Sequence, residues 1–125
     1  MPNSVIFKGK IGKFNRVISV SGDKSLSIRW VLLSSLANGI STAKNLLISE
    51  DVLAAINAIK KFGIKSKIHK NECKIFGGGL DGYKYKKKIK INAQNSGTLG
   101  RLILGLLINS PYPIKLIGDK SLSKR

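Results

Sequence analysis

A lone cysteine, Cys73, rules out a disulfide within the chain, and a lone histidine, His69, leaves no set of metal-binding side chains. Cys73 falls in an apparent strand and reads as inert packing. His69 closes a strand and reads as a surface residue. Only six acidic residues face 23 lysines and arginines, a net charge of +17. General acid–base catalysis needs carboxylates or similar groups within hydrogen-bond reach. Here Asp23, Glu50 and Asp51 are better explained as turn or helix-start residues. Three prolines, no low-complexity tract and 42% hydrophobic residues describe a globular chain, not a disordered one. No apolar stretch approaches the roughly 20 residues of a membrane span. The opening Met1-Pro2-Asn3-Ser4 lacks the basic and apolar regions of a secretory signal. A cytoplasmic protein with no membrane partner is expected.

The positive charge would suit a nucleic-acid binder. Against that, the lysines are scattered over every segment. The densest run, Tyr83 to Lys90, partly alternates and reads as a strand with a solvated face. No interleaving of aromatics on neighbouring strands, as in RNA-binding sheets, is present. No nucleic-acid partner is therefore expected. A basic nucleic-acid-binding module remains the competing reading, with a steep salt dependence as its mark.

Hydropathy and breakers give mixed α/β architecture. Strands are expected at Val5–Lys8 and Val17–Val20. A helix follows over Ser25–Leu36, with Leu26, Trp30, Leu33 and Ala37 as its apolar stripe and Gly39 as its stop. Thr42–Leu47 reads as a strand. A second helix starts at Ser49, a plausible N-cap followed by the acids Glu50 and Asp51. Its stripe is Val52, Ala55, Ile56, Ile59 and Phe62, and Gly63 ends it. Ile64–His69 and Cys73–Phe76 read as strands with Asn71 at their turn. Gly77-Gly78-Gly79 reads as a flexible link and Lys88–Asn92 as a strand. A third helix begins at Asn95 or Ser96, with Leu99, Leu102, Ile103, Leu106 and Leu107 as its stripe. Pro111 and Pro113 end that element, and Ile114–Ile117 forms the last strand. A further helix opens at Ser121, and a chain ending about one turn later, at Arg125, is expected of a truncated frame or a fragment.

An octapeptide recurs. Gly22-Asp23-Lys24-Ser25-Leu26-Ser27-Ile28-Arg29 returns as Gly118-Asp119-Lys120-Ser121-Leu122-Ser123-Lys124-Arg125, each after a β-branched run. Each copy reads as strand, glycine turn and helix start, with cations around the first turn. Ser25 and Arg29 are four apart and share a helix face. Cations at the positive end of a helix cost about 0.3–1 kcal/mol each when exposed. A bound anion reverses that cost, using free backbone N–H groups, the serine hydroxyl and the cations. Asn95-Ser96-Gly97-Thr98 with Arg101 repeats the logic, and Gly97 lets a ligand approach the backbone. Lys120 with Arg125 makes a third anion position. The chain fails the P-loop pattern, since Asp23 separates Gly22 from Lys24 and position 17 is valine. A ligand bearing phosphate or carboxylate is expected.

With these motifs in order, the chain resembles the N-terminal part of the 3-phosphoshikimate 1-carboxyvinyltransferase (5-enolpyruvylshikimate-3-phosphate synthase) family. Gly22 to Arg29 matches the family's Gly-[Asp/Ser]-Lys-Ser-x-Ser-x-Arg. Asn45-Leu46-Leu47-Ile48-Ser49-Glu50-Asp51-Val52 matches Asn-Leu-Leu-x-Ser-x-Asp-Val. Asn95-Ser96-Gly97-Thr98 with Arg101 matches Asn-[Ala/Ser]-Gly-Thr-x-x-Arg, and Gly118 to Arg125 matches Gly-Asp-x-Ser-Leu-x-x-Arg. Gln94, Leu99-Gly100 and Leu102 depart from the commoner residues and bear on pocket shape and inhibitor sensitivity. The resemblance implies transfer of the enolpyruvyl group of phosphoenolpyruvate to the 5-hydroxyl of shikimate 3-phosphate, in a monomer, with no metal or organic cofactor. It implies that Lys24 is catalytic and touches both substrates, and that Ser25 and Arg29 hold shikimate 3-phosphate. It implies that Gly97 and Arg125 bind phosphoenolpyruvate, where glyphosate competes, with Asn95, Thr98 and Arg101 shaping that pocket. The implied fold is two lobes of βαβαββ units, an inside-out α/β barrel, of which residues 1–125 form an incomplete N-terminal lobe. UDP-N-acetylglucosamine enolpyruvyl transferase shares that fold but carries Asn where Ser25 stands. The implied acid–base carboxylates, a catalytic lysine and further arginines lie beyond position 125. The 125-residue chain alone is therefore expected to be inactive and to bind its anions weakly, only part of the cage being present. A third reading is a non-functional truncated product whose exposed apolar surface leads to aggregation or partial order.

Overall fold

A computed structural model describes residues 4–6, 8–10, 12–70 and 72–125. Helix α1 (Lys24–Leu36) leads into strand β1 (Asn38–Lys44), followed by helix α2 (Glu50–Lys61). Strands β2 (Lys65–His69) and β3 (Glu72–Gly78) come next, then β4 (Lys90–Asn92), α3 (Gly97–Leu106), β5 (Lys115–Ile117) and a 3-10 turn at Leu122–Lys124. Strands β1, β3 and β2 form an antiparallel sheet in that order, with Ile40 opposite Phe76 and Ser66 opposite Ile75. Strands β4 and β5 run parallel across the α3 crossover, Ile91 opposite Leu116. Helices α1 and α2 pack on each other and on α3, and α1 lies on β3. The core between them includes Ile28, Val31, Val52, Ile59, Phe62 and Ile75.

Helix α2 follows the pattern expected of it. Ser49 Oγ accepts from the Val52 amide at 3.4 Å, Glu50 and Asp51 occupy the first turn, and Gly63 ends the helix at φ +84°. The expected stripe of Val52, Ala55, Ile56, Ile59 and Phe62 is buried. His69 is exposed at the end of β2, and Cys73 is fully buried in β3. In α3 the core face is Leu99 and Ile103, with Leu106 and Leu107 partly buried and Leu102 exposed.

Several expectations are overturned. Leu26 and Leu33 are 66% and 65% exposed, and the buried face of α1 is Ser27, Ile28, Val31, Leu32, Ser34 and Ser35. Apolar residues surround this helix almost evenly, so hydropathy marks no face. The small serines permit the close packing that does. Gly39 does not stop α1, which ends earlier at the extended residue Ala37 and leads into β1. Residues 17–20 form no strand; Val17 is wholly exposed. A strand requires a neighbour for its ladder, and among the described residues none lies beside this run. Val5, Ile6 and Lys8 are likewise outside any strand, while Phe7 and the turn residue Asn71 lie outside the described residues.

Gly77 and Gly78 are not a flexible link but the end of β3. A Cβ at Gly77 would overlap the Ser34 and Ala37 carbonyl oxygens, so the strand touches the end of α1 as only glycine can. The lysine run over Tyr83–Ile89 is no strand. Tyr83 turns inward, stacks on Phe62 at 4.9 Å between ring centroids, and shares a 2.6 Å hydrogen bond with the Ser35 hydroxyl. The stacked pair and the satisfied hydroxyl hold this segment to the core in place of ladder bonds.

Candidate functional site

The first motif builds the entry to α1. Asp23 is its N-cap, and Oδ1 accepts from the Leu26 amide at 2.6 Å. Ser27 Oγ donates to the Asp23 carbonyl at 2.6 Å and accepts from the Leu47 amide at 3.2 Å. That clamps the Asn45–Leu47 loop onto α1. Asn45, in left-handed backbone at φ +58°, donates through Nδ2 to the Val20 carbonyl at 3.3 Å. A Cβ at Gly22 would overlap the Asn45 carbonyl and lie 2.9 Å from the Leu47 nitrogen. The first two sequence motifs are thus halves of one junction.

Lys24, Ser25 and Arg29 sit on the first two turns of α1. Lys24 Nζ pairs with Asp51 Oδ2 at 3.1 Å. The cost expected for the cations at this helix end is met in part: Asp23 caps the helix and Asp51 pairs with Lys24. Both acids lacked an assigned role toward the cations, and for Asp23 the signal was its position three residues before Leu26. An anion arriving here competes with Asp51 for Lys24. It still meets the first-turn amides that an α-helix leaves without intrahelical acceptors. Arg29 is exposed.

The second cluster gathers the third and fourth motifs. Ser96 caps α3 by accepting from the Leu99 amide at 3.1 Å, leaving Gly97 and Thr98 in the open first turn. Asn95 Nδ2 donates to Asp119 Oδ2 at 2.7 Å. Arg125 Nη2 donates to Asn95 Oδ1 at 3.0 Å and to Ser121 Oγ at 3.1 Å. A Cβ at Gly97 would stand 3.9 Å from Arg125 Nη1 and 3.8 Å from Leu122 Cδ1, so the guanidinium lies over the glycine. Gly97, Arg101 and Arg125 border a cavity of about 480 Å³ that Leu116 and Leu122 also line. The Asp119 carboxyl is held below the usual carboxylate range, first by the Leu122 amide and then by the Asn95 amide, with Arg125 adding to the effect.

The octapeptide repeat is a repeat in space as well. Asp119 Oδ1 accepts from the Leu122 amide at 2.7 Å, as Asp23 Oδ1 does from Leu26. The Ser123 amide donates to the Asp119 carbonyl at 3.0 Å, as that of Ser27 does to the Asp23 carbonyl. Among the described residues, no hydrogen bond links the Lys24–Ser25–Arg29 set to the Asn95–Arg125 set. A larger cavity of about 640 Å³ is bordered by Glu50, Asn57, Lys61, Asn92 and Gln94; neither Lys24, Ser25 and Arg29 nor Gly97, Arg101 and Arg125 line it.

Residues 9–125 match the family model described as EPSP synthase (3-phosphoshikimate 1-carboxyvinyltransferase). A protein of that name from Streptococcus pyogenes serotype M1 is 42% identical over 114 residues, 91% of this chain and 26% of the relative. Its namesake from Bacillus cytotoxicus is 40% identical over 111 residues, 89% of this chain and 26% of the relative. The solved EPSP synthase from Acinetobacter baumannii superposes with a TM-score of 0.79 at 35% identity, over 86% of this chain and 24% of that one. The chain thus spans about a quarter of the length of the relatives it matches.

Proposed function

The chain belongs to the EPSP synthase family, and from that premise we propose that it supplies anion-holding residues to an enolpyruvyl transfer. The reaction moves the enolpyruvyl group of phosphoenolpyruvate to the 5-hydroxyl of shikimate 3-phosphate and releases phosphate. The observation that carries the proposal is the seating of Arg125 over Gly97, held by Asn95 at 3.0 Å, beside a cavity with a helix start at its rim. Arg125 and Gly97, through the amides that open α3, would hold phosphoenolpyruvate, with Asn95, Thr98 and Arg101 shaping the pocket. Lys24, Ser25 and Arg29 would hold shikimate 3-phosphate, Lys24 reaching both. Fixed cations and helix ends bind two anions in reacting geometry without reorganising as charge builds between them.

The acids argue for what else is needed. Asp23 caps α1, Asp119 accepts from the Leu122 and Asn95 amides, Asp51 pairs with Lys24, and Glu72 pairs with Lys74 at 3.0 Å. Glu50 sits in the first turn of α2 and Asp81 in an exposed turn. General acid–base groups must come from elsewhere. None of the described helices is long and apolar enough to cross a membrane, and a cytoplasmic location belongs to the same reading.

The test is a chimera in which this chain replaces the matching quarter of the Streptococcus pyogenes relative. It should release phosphate only when both substrates are present. Lys24→Met and Arg29→Ala should each lower kcat/KM by about 100-fold, as loss of a charge-stabilising group does. Turnover unchanged by both substitutions would overturn the proposal. The 125-residue chain alone should release no phosphate.

A further inference from the structure

We propose that Asp119 is a positioning residue: acting through Asn95, it holds the Arg125 guanidinium over Gly97 at the mouth of the 480 Å³ cavity. The inference rests on the anion-site reading above and adds a residue to it. The two copies of the octapeptide bring it out. Asp23 and Asp119 each spend Oδ1 on the amide three residues ahead. The second oxygen of Asp119 accepts from the Asn95 amide, and that bond has no counterpart at Asp23 among the described residues.

Asn95 lies between a group that only accepts and a group that only donates. A carboxylate can receive only its Nδ2, and a guanidinium only its Oδ1. The amide therefore has one satisfactory orientation, and Asp119 selects it. The carboxylate is in turn fixed by its cap bond to Leu122 and by backbone. The Asp119 amide donates to the Gln94 carbonyl at 2.8 Å, and the Ala93 amide donates to the Ile117 carbonyl at 2.8 Å. These bonds tie the loop after β5 to the loop before α3, so Asp119, Asn95 and Arg125 move as a unit. Arg125 is exposed and has four rotatable side-chain bonds to order. Without the Asn95 oxygen, that ordering falls on the incoming anion.

Asp119→Asn tests this with little change of shape. Its Oδ1 still caps Leu122, but its Nδ2 now meets the Asn95 Nδ2. Relief requires Asn95 to turn its amide over, which presents Nδ2 to the guanidinium. The experiment is NMR of the chimera with the Streptococcus pyogenes relative, isotope-labelled in the 125 residues of this chain, free and titrated with phosphoenolpyruvate. In Asp119→Asn, the Asn95 side-chain amide and Arg125 guanidinium signals should shift in the free chimera while the Leu122 backbone amide stays in place. The phosphoenolpyruvate Kd should rise about tenfold, the scale of losing one hydrogen bond to a charged group. Asn95→Ala should produce a similar loss, and the two together no more than one, because they break the same chain of contacts. Losses that multiply in the double variant, or Arg125 signals indifferent to Asp119→Asn, would overturn the proposal. Asp119→Ser keeps a cap oxygen and removes the second acceptor, so it serves if the asparagine variant does not fold. If phosphoenolpyruvate leaves Gly97 and Arg125 of the unmodified chimera unperturbed, the anion-site reading fails. The Asp119–Arg125 link is then still judged by the ligand-free spectra.

Discussion

Asp51, in the first turn of α2, holds Lys24, in the first turn of α1, with 3.1 Å between Oδ2 and Nζ. Two helix starts are thereby joined by the cation proposed to touch both substrates. Asp51→Asn removes the charge and keeps the shape. Because the Lys24 side chain is 55% exposed, the stability lost should stay below about 1 kcal/mol. Lys24 would be released to an external anion, and titration with shikimate 3-phosphate at low salt should show tighter binding. The gain should shrink as salt rises. Equal affinity of the two proteins at low salt would mean that Lys24 does not meet this ligand.

Gly77→Ala should be among the most damaging single substitutions. The added methyl meets backbone, the Ser34 and Ala37 carbonyls, and neither can swing aside as a side-chain end would. Overpacking costs about 1–3 kcal/mol, and the upper end is expected here. Urea denaturation checks it. A midpoint unchanged from the wild type would show that α1 and β3 are not in contact as described.

At the α1 N-cap, Asp23→Ala should cost about 1 kcal/mol and Asp23→Ser much less, since serine also accepts from the third amide. Thermal melts of the two variants should separate them. Equal losses would indicate that the carboxylate acts on Lys24 or Arg29 and not on the Leu26 amide.

Burial raises the Cys73 thiol, partly offset by Lys60, and it raises the Tyr83 phenol, opposed by the Ser35 hydrogen bond and helped by Tyr85. A raised acid keeps its proton longer folded than unfolded. Its stabilisation is therefore complete below the ordinary values of 9.0 and 10.0 and is lost as pH climbs past them. Lysine neutralisation relieves self-repulsion in the same alkaline range, so the informative quantity is a difference. Tyr83→Phe should be about 1 kcal/mol less stable than wild type at neutral pH, the usual worth of a hydrogen bond. That gap should narrow above pH 10. A gap constant from neutral to strongly alkaline pH would contradict a buried, protonated Tyr83.

How much the sequence disclosed depended on how each element is held. Helix α2 was legible from end to end, because cap, acidic first turn, apolar stripe and terminal glycine all agree. The buried face of α1 was not, because serines 27, 34 and 35 share it with Ile28, Val31 and Leu32, and hydropathy ranks serines as surface. Val17–Val20 has strand composition, but composition cannot supply a neighbouring strand. Gly77 looked loose because a glycine needed for close approach and one needed for freedom are the same letter.

At the site, helix starts and cations were visible as motifs, and the structure puts Gly97, Arg101 and Arg125 around one cavity, with Asn95 holding Arg125. The partners that restrain them were not visible. Asp51 is distant in sequence from Lys24, and Asp119 needed a comparison with Asp23 that only the bond pattern makes meaningful.

A turn that occurs twice in one polypeptide provides its own calibration. Whatever a substitution at Asp23 does to the melting of its helix estimates the share of any Asp119 effect that belongs to capping. The remainder can be ascribed to the bond with Asn95, measured on variants of one polypeptide in one buffer without an outside reference protein.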